Sequence, residues 1–157
     1  MDNNYIFYKL RKTFQWNEEK LGELFKSVDY AVAPSQLFAW MKQEQYEGFE
    51  VMPDEGLAAL LNAFIVDRRG LKDGKLPEIE NKLNNNLIFR KLRIALNLKD
   101  DDIVAIMKLA NMRIGKAELG SFFRDPKHHN YRPCKDQFLR NFVRGLHFKY
   151  GIPEENQ

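Results

Sequence analysis

The chain repeats itself once, without a gap, at an offset of 82 residues, so that residues 3–70 correspond to residues 85–152. The match is clearest at the start of each copy, where NNYIFYKLR at residues 3–11 returns as NNLIFRKLR at residues 85–93. Two copies of one pattern are expected to fold alike and to bury their apolar faces against each other. The duplication therefore predicts one pseudo-symmetric body built from two similar halves.

The duplication also sets the organisation of the 157 residues. It predicts a first helical repeat at residues 1–70, a linker at 71–84, a second helical repeat at 85–152 and a tail at 153–157. Gly74 and Pro77 interrupt regular structure in the linker, and residues 78–83 are expected to add a short helical turn.

Four helices are predicted in the first copy from residues that typically begin or end helices. Asn4 is expected to cap the first helix, and Asn17 is expected to cap the second. Pro34 suits the first turn of a third helix. Asp54 is expected to cap a fourth helix, which Gly70 ends.

The second copy repeats these signals. Asn86 is expected to cap its first helix, and Asp100 begins the next. Asp125-Pro126 should end the third helix, because a residue before proline is pushed out of helical geometry. Asp136 should cap the last helix, which Gly151 ends. Since no stretch alternates apolar and polar residues for long, we predict an all-α fold of two tandem four-helix repeats.

Composition favours an ordinary globular protein of the cytoplasm. Apolar residues make up 44% of the chain and charged residues 30%, which is a typical globular mixture. No apolar run approaches the roughly 20 residues that cross a bilayer, and the N-terminal MDNN lacks the pattern of a secretory signal. A single cysteine excludes an internal disulfide. We therefore expect a cytoplasmic location and no membrane partner.

The two copies differ in charge. Residues 1–70 carry eight Lys and Arg against eleven Asp and Glu, whereas residues 85–152 carry fourteen against six. Such asymmetry indicates divergent duties, although drift of surface charge after duplication explains it equally well. Oppositely charged copies also attract each other or a second molecule.

The basic residues of the second copy predict a surface that binds phosphates. Arg140 and Arg144 are four residues apart on one helix, so they share a face. Clustered cations bind nucleic-acid backbones because they release the counterions of the phosphates. The predicted nucleic-acid-binding residues are Arg90, Lys91, Arg93, Lys116, Arg124, Arg132, Lys135, Arg140 and Arg144. A solvated face that only keeps the protein soluble explains the same pattern.

The first three helices of each copy have the order of a helix-turn-helix unit, which adds a weaker indication of nucleic-acid binding. The alternative function is a protein–protein interaction adaptor that uses the oppositely charged repeats. The predicted function is therefore that of a non-enzymatic helical protein that binds nucleic acid or acts as a regulator.

A polar cluster near His128, His129 and Cys134 is the one place where the sequence suggests chemistry. Zinc sites use His and Cys, but usually in paired sets, and the chain has one cysteine. A Cys–His nucleophile pair is the enzymatic alternative. A loop whose side chains hold their own backbone explains these residues more simply. We therefore predict no catalytic residues, no metal, no cofactor and no enzyme activity.

Several motifs resemble a known family. They are NNN at residues 84–86, KLRIA at 91–95, and the pattern P-x-H-x-N-Y-x-x-C-x-D-Q-F-L-R at 126–140. In these motifs the chain resembles the YehS-like family of uncharacterised bacterial proteins, a domain of unknown function present as two tandem copies. The resemblance implies a bacterial, cytoplasmic protein and supplies no activity. The first copy departs from the pattern, with Met52 in place of a cysteine and Ala63 in place of a glycine.

Overall fold

Eight α-helices run through residues 1–153, the part of the chain that this computed structural model describes. They are α1 Asn3–Phe14, α2 Glu18–Ser27, α3 Pro34–Met41, α4 Asp54–Arg69, α5 Asn85–Leu96, α6 Asp100–Leu109, α7 Lys116–Phe122 and α8 Asp136–Tyr150. Each helix of the second copy begins 82 residues after its counterpart, as the duplication requires. The predicted all-α fold of two tandem four-helix repeats is confirmed. Of the predicted tail, residues 154–157 lie outside the described part.

The first helix of each copy begins earlier than predicted. Asp2 caps α1 by accepting from the backbone N–H of Tyr5, and Asn84 caps α5 in the same way. The prediction that Asn4 and Asn86 are caps is therefore wrong. Both lie one residue inside their helices, where they are buried.

Most other predicted helix ends agree with the structure. Asn17 caps α2, and Pro34 stands in the first turn of α3. Asp54 and Asp136 are the first residues of their helices rather than caps. Helix α7 ends at Phe122, three residues before the predicted stop at Asp125.

Asn4 and Asn86 instead hold the loop that precedes the last helix of each copy. The Asn86 amide donates to the carbonyl oxygens of Phe122 and Arg132 at 3.1 and 2.9 Å. Its carbonyl oxygen accepts from the backbone N–H of Cys134 at 2.8 Å. Asn4 makes the three equivalent bonds in the first copy. Buried backbone groups of an irregular loop need such partners, so one side chain fixes the start of α4 or α8.

The two copies share one core because the first helix of each copy packs on the last helix of the other. Helix α1 packs on α8 of the other copy, and α5 packs on α4, while α2 packs on α4 and α6 packs on α8 within each copy. Buried side chains from both copies form one apolar cluster in the described chain. Phe14 illustrates the continuity, because its ring contacts both Phe64 and Tyr150.

The linker folds back on the α4–α5 interface. No helical turn forms at residues 78–83, so that prediction is wrong. The Asn62 amide donates to the carbonyl oxygen of Glu78 at 2.9 Å, which holds this segment extended. The ammonium of Lys91 lies 2.9 Å from the Glu80 carboxylate and donates to the Asn62 oxygen at 2.6 Å. A buried cation that is paired in this way fastens the linker to both copies.

Candidate functional site

Helix α8 carries a row of exposed residues along the side that borders α1. Arg140, Arg144 and Phe148 follow one another at intervals of four residues, so they stand on one helix face. The Arg144 guanidinium lies 5.6 Å from the centre of the Phe148 ring. The row therefore combines two cations with one aromatic ring.

Helix α1 contributes a second row beside the first. Tyr5, Lys9 and Lys12 recur at intervals of four and three residues, which places them on one face of α1. The Tyr5 ring joins the two rows, because the Arg140 guanidinium lies 5.8 Å and the Lys9 ammonium 6.0 Å from its centre. Cations from the acidic first copy thus meet those of the basic second copy.

We call this surface the α1–α8 face. It consists of Tyr5, Lys9, Lys12, Arg140, Arg144 and Phe148. One end opens into a cavity of about 520 Å³ lined by Lys9, Lys12, Arg144, His147, Phe148 and residues 151–153. The Thr13 hydroxyl of α1 and the Nδ1 atom of His147 of α8 lie 3.1 Å apart, and this hydrogen bond ties the two helices together. The walls of the cavity therefore combine three cationic side chains with apolar ones.

The electrostatics of the face are those of a partly buried cationic surface. Burial raises the pKa of the Tyr5 hydroxyl, and the charges of Arg140 and Arg144 act in the opposite direction. At the edge of the face, the hydrogen bond from Asn85 holds the pKa of the Asp136 carboxyl below its usual range, and the charge of Arg140 adds to this effect. Asp136 is therefore ionised at neutral pH and offsets part of the charge of Arg140.

Tyr8 and Arg11 extend the surface along α1. The guanidinium of Arg11 and the ammonium of Lys12 lie 6.0 and 5.9 Å from the centre of the Tyr8 ring. Burial lowers the pKa of Arg11, although a guanidinium stays charged in proteins. A further ring with cations beside it thus lies next to the face.

The equivalent interface between α4 and α5 has a different chemistry. The 82-residue offset places Asn62 at the position of Arg144, Lys91 at that of Lys9 and Ile94 at that of Lys12. Linker residues lie on this interface, and Glu80 pairs with Lys91. The pairs α1–α8 and α4–α5 are therefore equivalent in the duplication, but only the α1–α8 pair has a cationic surface.

Four of the predicted binding residues are engaged by the protein itself. Lys91 is only 8% exposed, so it is unavailable to a ligand and leaves the proposed surface. Arg93 pairs with Asp100 at 3.0 Å, and Lys116 pairs with Asp101 at 2.8 Å. Arg90 donates to a backbone carbonyl oxygen at 3.2 Å.

Three further predicted residues, Arg124, Arg132 and Lys135, are not part of the α1–α8 face. Arg132 donates to two backbone carbonyl oxygens of its own loop, at 3.2 and 2.9 Å. Together with Lys135 and Arg113 it lines a separate groove between α7 and α8. Arg124 is exposed just beyond the end of α7. Of the nine predicted residues, only Arg140 and Arg144 belong to the face.

Cys134 differs in exposure from His128 and His129, which are exposed on the preceding loop. Cys134 is buried, and burial together with the nearby charge of Asp136 raises the pKa of its thiol to about 12. The rings of His128 and His129 stack at 4.5 Å, and His128 accepts from the backbone N–H of Asn130. Within residues 1–153, no three His, Cys, Asp or Glu side chains are grouped so that they could hold a metal ion.

The sequence prediction missed Lys9, Lys12, Tyr5 and Phe148. Their spacing along α1 and α8 is visible in the sequence, but the net negative charge of the first copy directs attention away from Lys9 and Lys12. Nothing in the spacing of residues indicates that α1 lies beside α8.

The fold and the face together define an all-helical tandem-repeat protein whose halves share a core and differ in charge at equivalent interfaces. None of the helices in residues 1–153 combines the length and the apolar character needed to cross a membrane.

The chain belongs to the family described as Protein of unknown function (DUF1456), whose model matches residues 3–70 and again residues 85–150. It is similar to the uncharacterized protein YehS of Escherichia coli (strain K12), with 38% identity over 148 residues, which are 93% of this chain and 94% of the relative's length. No solved structure gives a significant match.

Proposed function

We propose that this protein is a non-enzymatic nucleic-acid-binding protein that docks phosphates on the α1–α8 face. The observation that carries the proposal is the convergence of Lys9 from one copy with Arg140 and Arg144 from the other around the ring of Tyr5. Three cations from two helices are brought together there, although the first copy is acidic as a whole.

The chemistry of these side chains suits phosphate binding. An arginine fork donates two parallel hydrogen bonds to phosphate oxygens, and lysine adds a point charge. Each phosphate that is neutralised releases counterions, so affinity falls as salt rises. The exposed positions of Arg140 and Arg144 leave their guanidinium groups accessible to a long polyanion.

We also propose that the protein has no catalytic activity. A thiol with a pKa of about 12 stays protonated at neutral pH, which removes the most nucleophilic candidate side chain. His128 and His129 are exposed on a loop, whereas Cys134 is buried, which argues against a Cys–His pair.

Titration of a fluorescent mixed-sequence oligonucleotide over a range of salt concentrations tests the proposal. The double variant Arg140→Ala/Arg144→Ala should weaken binding about equally for all sequences and reduce the salt slope by about two. Lys9→Ala should weaken binding as well, because the site spans both copies.

The matched control is Arg113→Ala/Lys135→Ala, which removes the same charge from the second copy on a different groove. It should leave most of the affinity intact. Equal losses from both double variants would mean that net charge, and not the α1–α8 face, drives binding. If the folded protein fails to bind at low salt, the proposal is wrong and the adaptor function takes its place.

A further inference from the structure

We infer that the α1–α8 face selects single-stranded over duplex nucleic acid by stacking unpaired bases on its exposed rings. This inference rests on the proposed function and adds the class of ligand. Two features of the face support it: its rings are exposed, and each ring lies beside a cation. A third feature lies elsewhere in the molecule, since α3 and α7 are poorly suited to reading a duplex.

Phe148 on the face and Tyr8 beside it are exposed in a protein that buries seven of its twelve phenylalanine rings. Phe148 is 51% exposed and Tyr8 is 44% exposed, whereas Phe7, Phe64, Phe89 and Phe142 are at most 1% exposed. Leaving half of a phenylalanine ring exposed forfeits on the order of 1 kcal/mol of burial energy, so a ring at the end of a charged surface calls for an explanation. Stacking against a nucleobase would bury it again.

Each ring lies next to a cation. The distances from the cation to the ring centre are 5.6 Å for Arg144 over Phe148, 5.9 Å for Lys12 over Tyr8 and 5.8 Å for Arg140 over Tyr5. Arg140 and Phe148 are eight residues apart on α8, which is about 12 Å along the helix. A surface of this length, on which each ring lies beside a cation, fits a strand that offers both phosphates and bases.

A duplex does not make use of this arrangement, because its bases are paired and stacked on one another. Proteins that read a duplex usually insert a polar helix into the major groove. Helix α3 contains no Lys or Arg, and the one Lys of α7, Lys116, is paired with Asp101. The helices in the positions of recognition helices are therefore poorly equipped to approach a phosphate-lined groove.

Fluorescence anisotropy with labelled 12-nucleotide strands and the matched 12-base-pair duplex tests the inference at one low salt concentration. The single strand should bind at least 10-fold more tightly than the duplex. Phe148→Ala and Tyr8→Ala should each weaken single-strand binding about 10-fold, because a base stack contributes about this much. The salt slope should not change, since a ring releases no counterions.

Two further variants separate stacking from general damage. Phe148→Leu keeps apolar bulk and loses the ring, so it should weaken single-strand binding nearly as much as Phe148→Ala. Phe38→Ala removes a ring that is 43% exposed on α3, a helix that contributes no residue to the face, and should leave binding unchanged. Far-UV circular dichroism confirms that each variant is folded.

Equal or tighter binding of the duplex, or unchanged single-strand binding by the Phe148 and Tyr8 variants, would overturn the inference and leave the proposed function standing. Absence of binding to either form would overturn the proposed function, and the inference with it. The two failures are therefore distinguishable in one set of titrations.

Discussion

A buried asparagine amide fixes the entry to the last helix in each copy, and its loss should be severe. The Asn86 amide satisfies two carbonyl oxygens and one backbone N–H of the loop. Asn86→Ala leaves these buried groups without partners, so we expect the free energy of unfolding in urea to fall by roughly 2–4 kcal/mol. Asn85→Ala, which loses hydrogen bonds at a more exposed site, is the control and should cost about 1 kcal/mol. Similar losses from both variants would contradict this view.

The thiol of Cys134 should be unreactive in the folded protein. Burial raises its pKa from 9.0 to about 12, so the thiolate is scarce at pH 8. Alkylation at pH 8 should be slow until urea unfolds the chain, and then as fast as for a free cysteine. Because the folded pKa is the higher one, this group's contribution to stability is complete below about pH 9 and is lost towards pH 12. Rapid labelling of the native protein would show that the thiol is accessible.

Residue identity alone did not reveal the role of the asparagines. Asparagine is a common helix cap, so residue type and local position predict that Asn4 and Asn86 are caps. The true caps, Asp2 and Asn84, stand two residues earlier. That shift turns the predicted caps inward, where their partners are 36 to 48 residues away in the chain. Such partners depend on tertiary packing, which local spacing does not contain.

The contact between helices α6 and α8 depends on a glycine. A Cβ atom on Gly145 would collide with the backbone oxygen of Ile106 and lie 2.8 Å from its Cγ2 atom. Gly145→Ala should therefore lower the free energy of unfolding by about 1–3 kcal/mol, because the helices must move apart. The first copy has Ala63 at this position, so its helix pair α2–α4 accommodates a methyl group.

Gly22→Ala is the matched control in a helix of the other copy. Gly22 is exposed in α2, and nothing lies within 4 Å of a Cβ atom there. Alanine should stabilise the protein by about 0.5–1 kcal/mol, because it restricts the unfolded chain and favours helix. If thermal or urea unfolding shows the same sign for both substitutions, the close approach at Gly145 does not limit packing.

At the scale of the element, the sequence predicted the helices well because their signals are local. The spacing of Arg140 and Arg144 and the cap at Asn17 depend on residues within a turn or two of each other. Helix α7 ends early, where the carbonyl oxygens of Phe122 and Phe123 accept hydrogen bonds from the Asn86 and Arg90 side chains of α5. Helix boundaries that tertiary contacts decide were therefore the ones that differed.

At the scale of the whole molecule, the packing of the first helix of each copy on the last helix of the other determines which residues the candidate site contains. Lys9 was missed because it belongs to the acidic copy, yet α1 lies beside α8 of the basic copy. Lys91 was included because its charge is visible in the sequence, while its pairing with Glu80 requires the linker to fold back. A duplication predicts two similar halves, but it does not specify which helices of each half meet.

A shared core implies that the two copies unfold together. Both tryptophans, Trp16 and Trp40, lie in the first copy, so their fluorescence reports on that half, whereas far-UV circular dichroism reports on all helices. The two signals should follow one urea transition. Ile103→Val, at a fully buried site of the second copy, should shift both transitions by the same amount, about 0.5–1.5 kcal/mol. If the fluorescence transition of Ile103→Val stays in place while its circular dichroism becomes biphasic, the two halves unfold independently. A binding face assembled from α1 and α8 would then lack a rigid support.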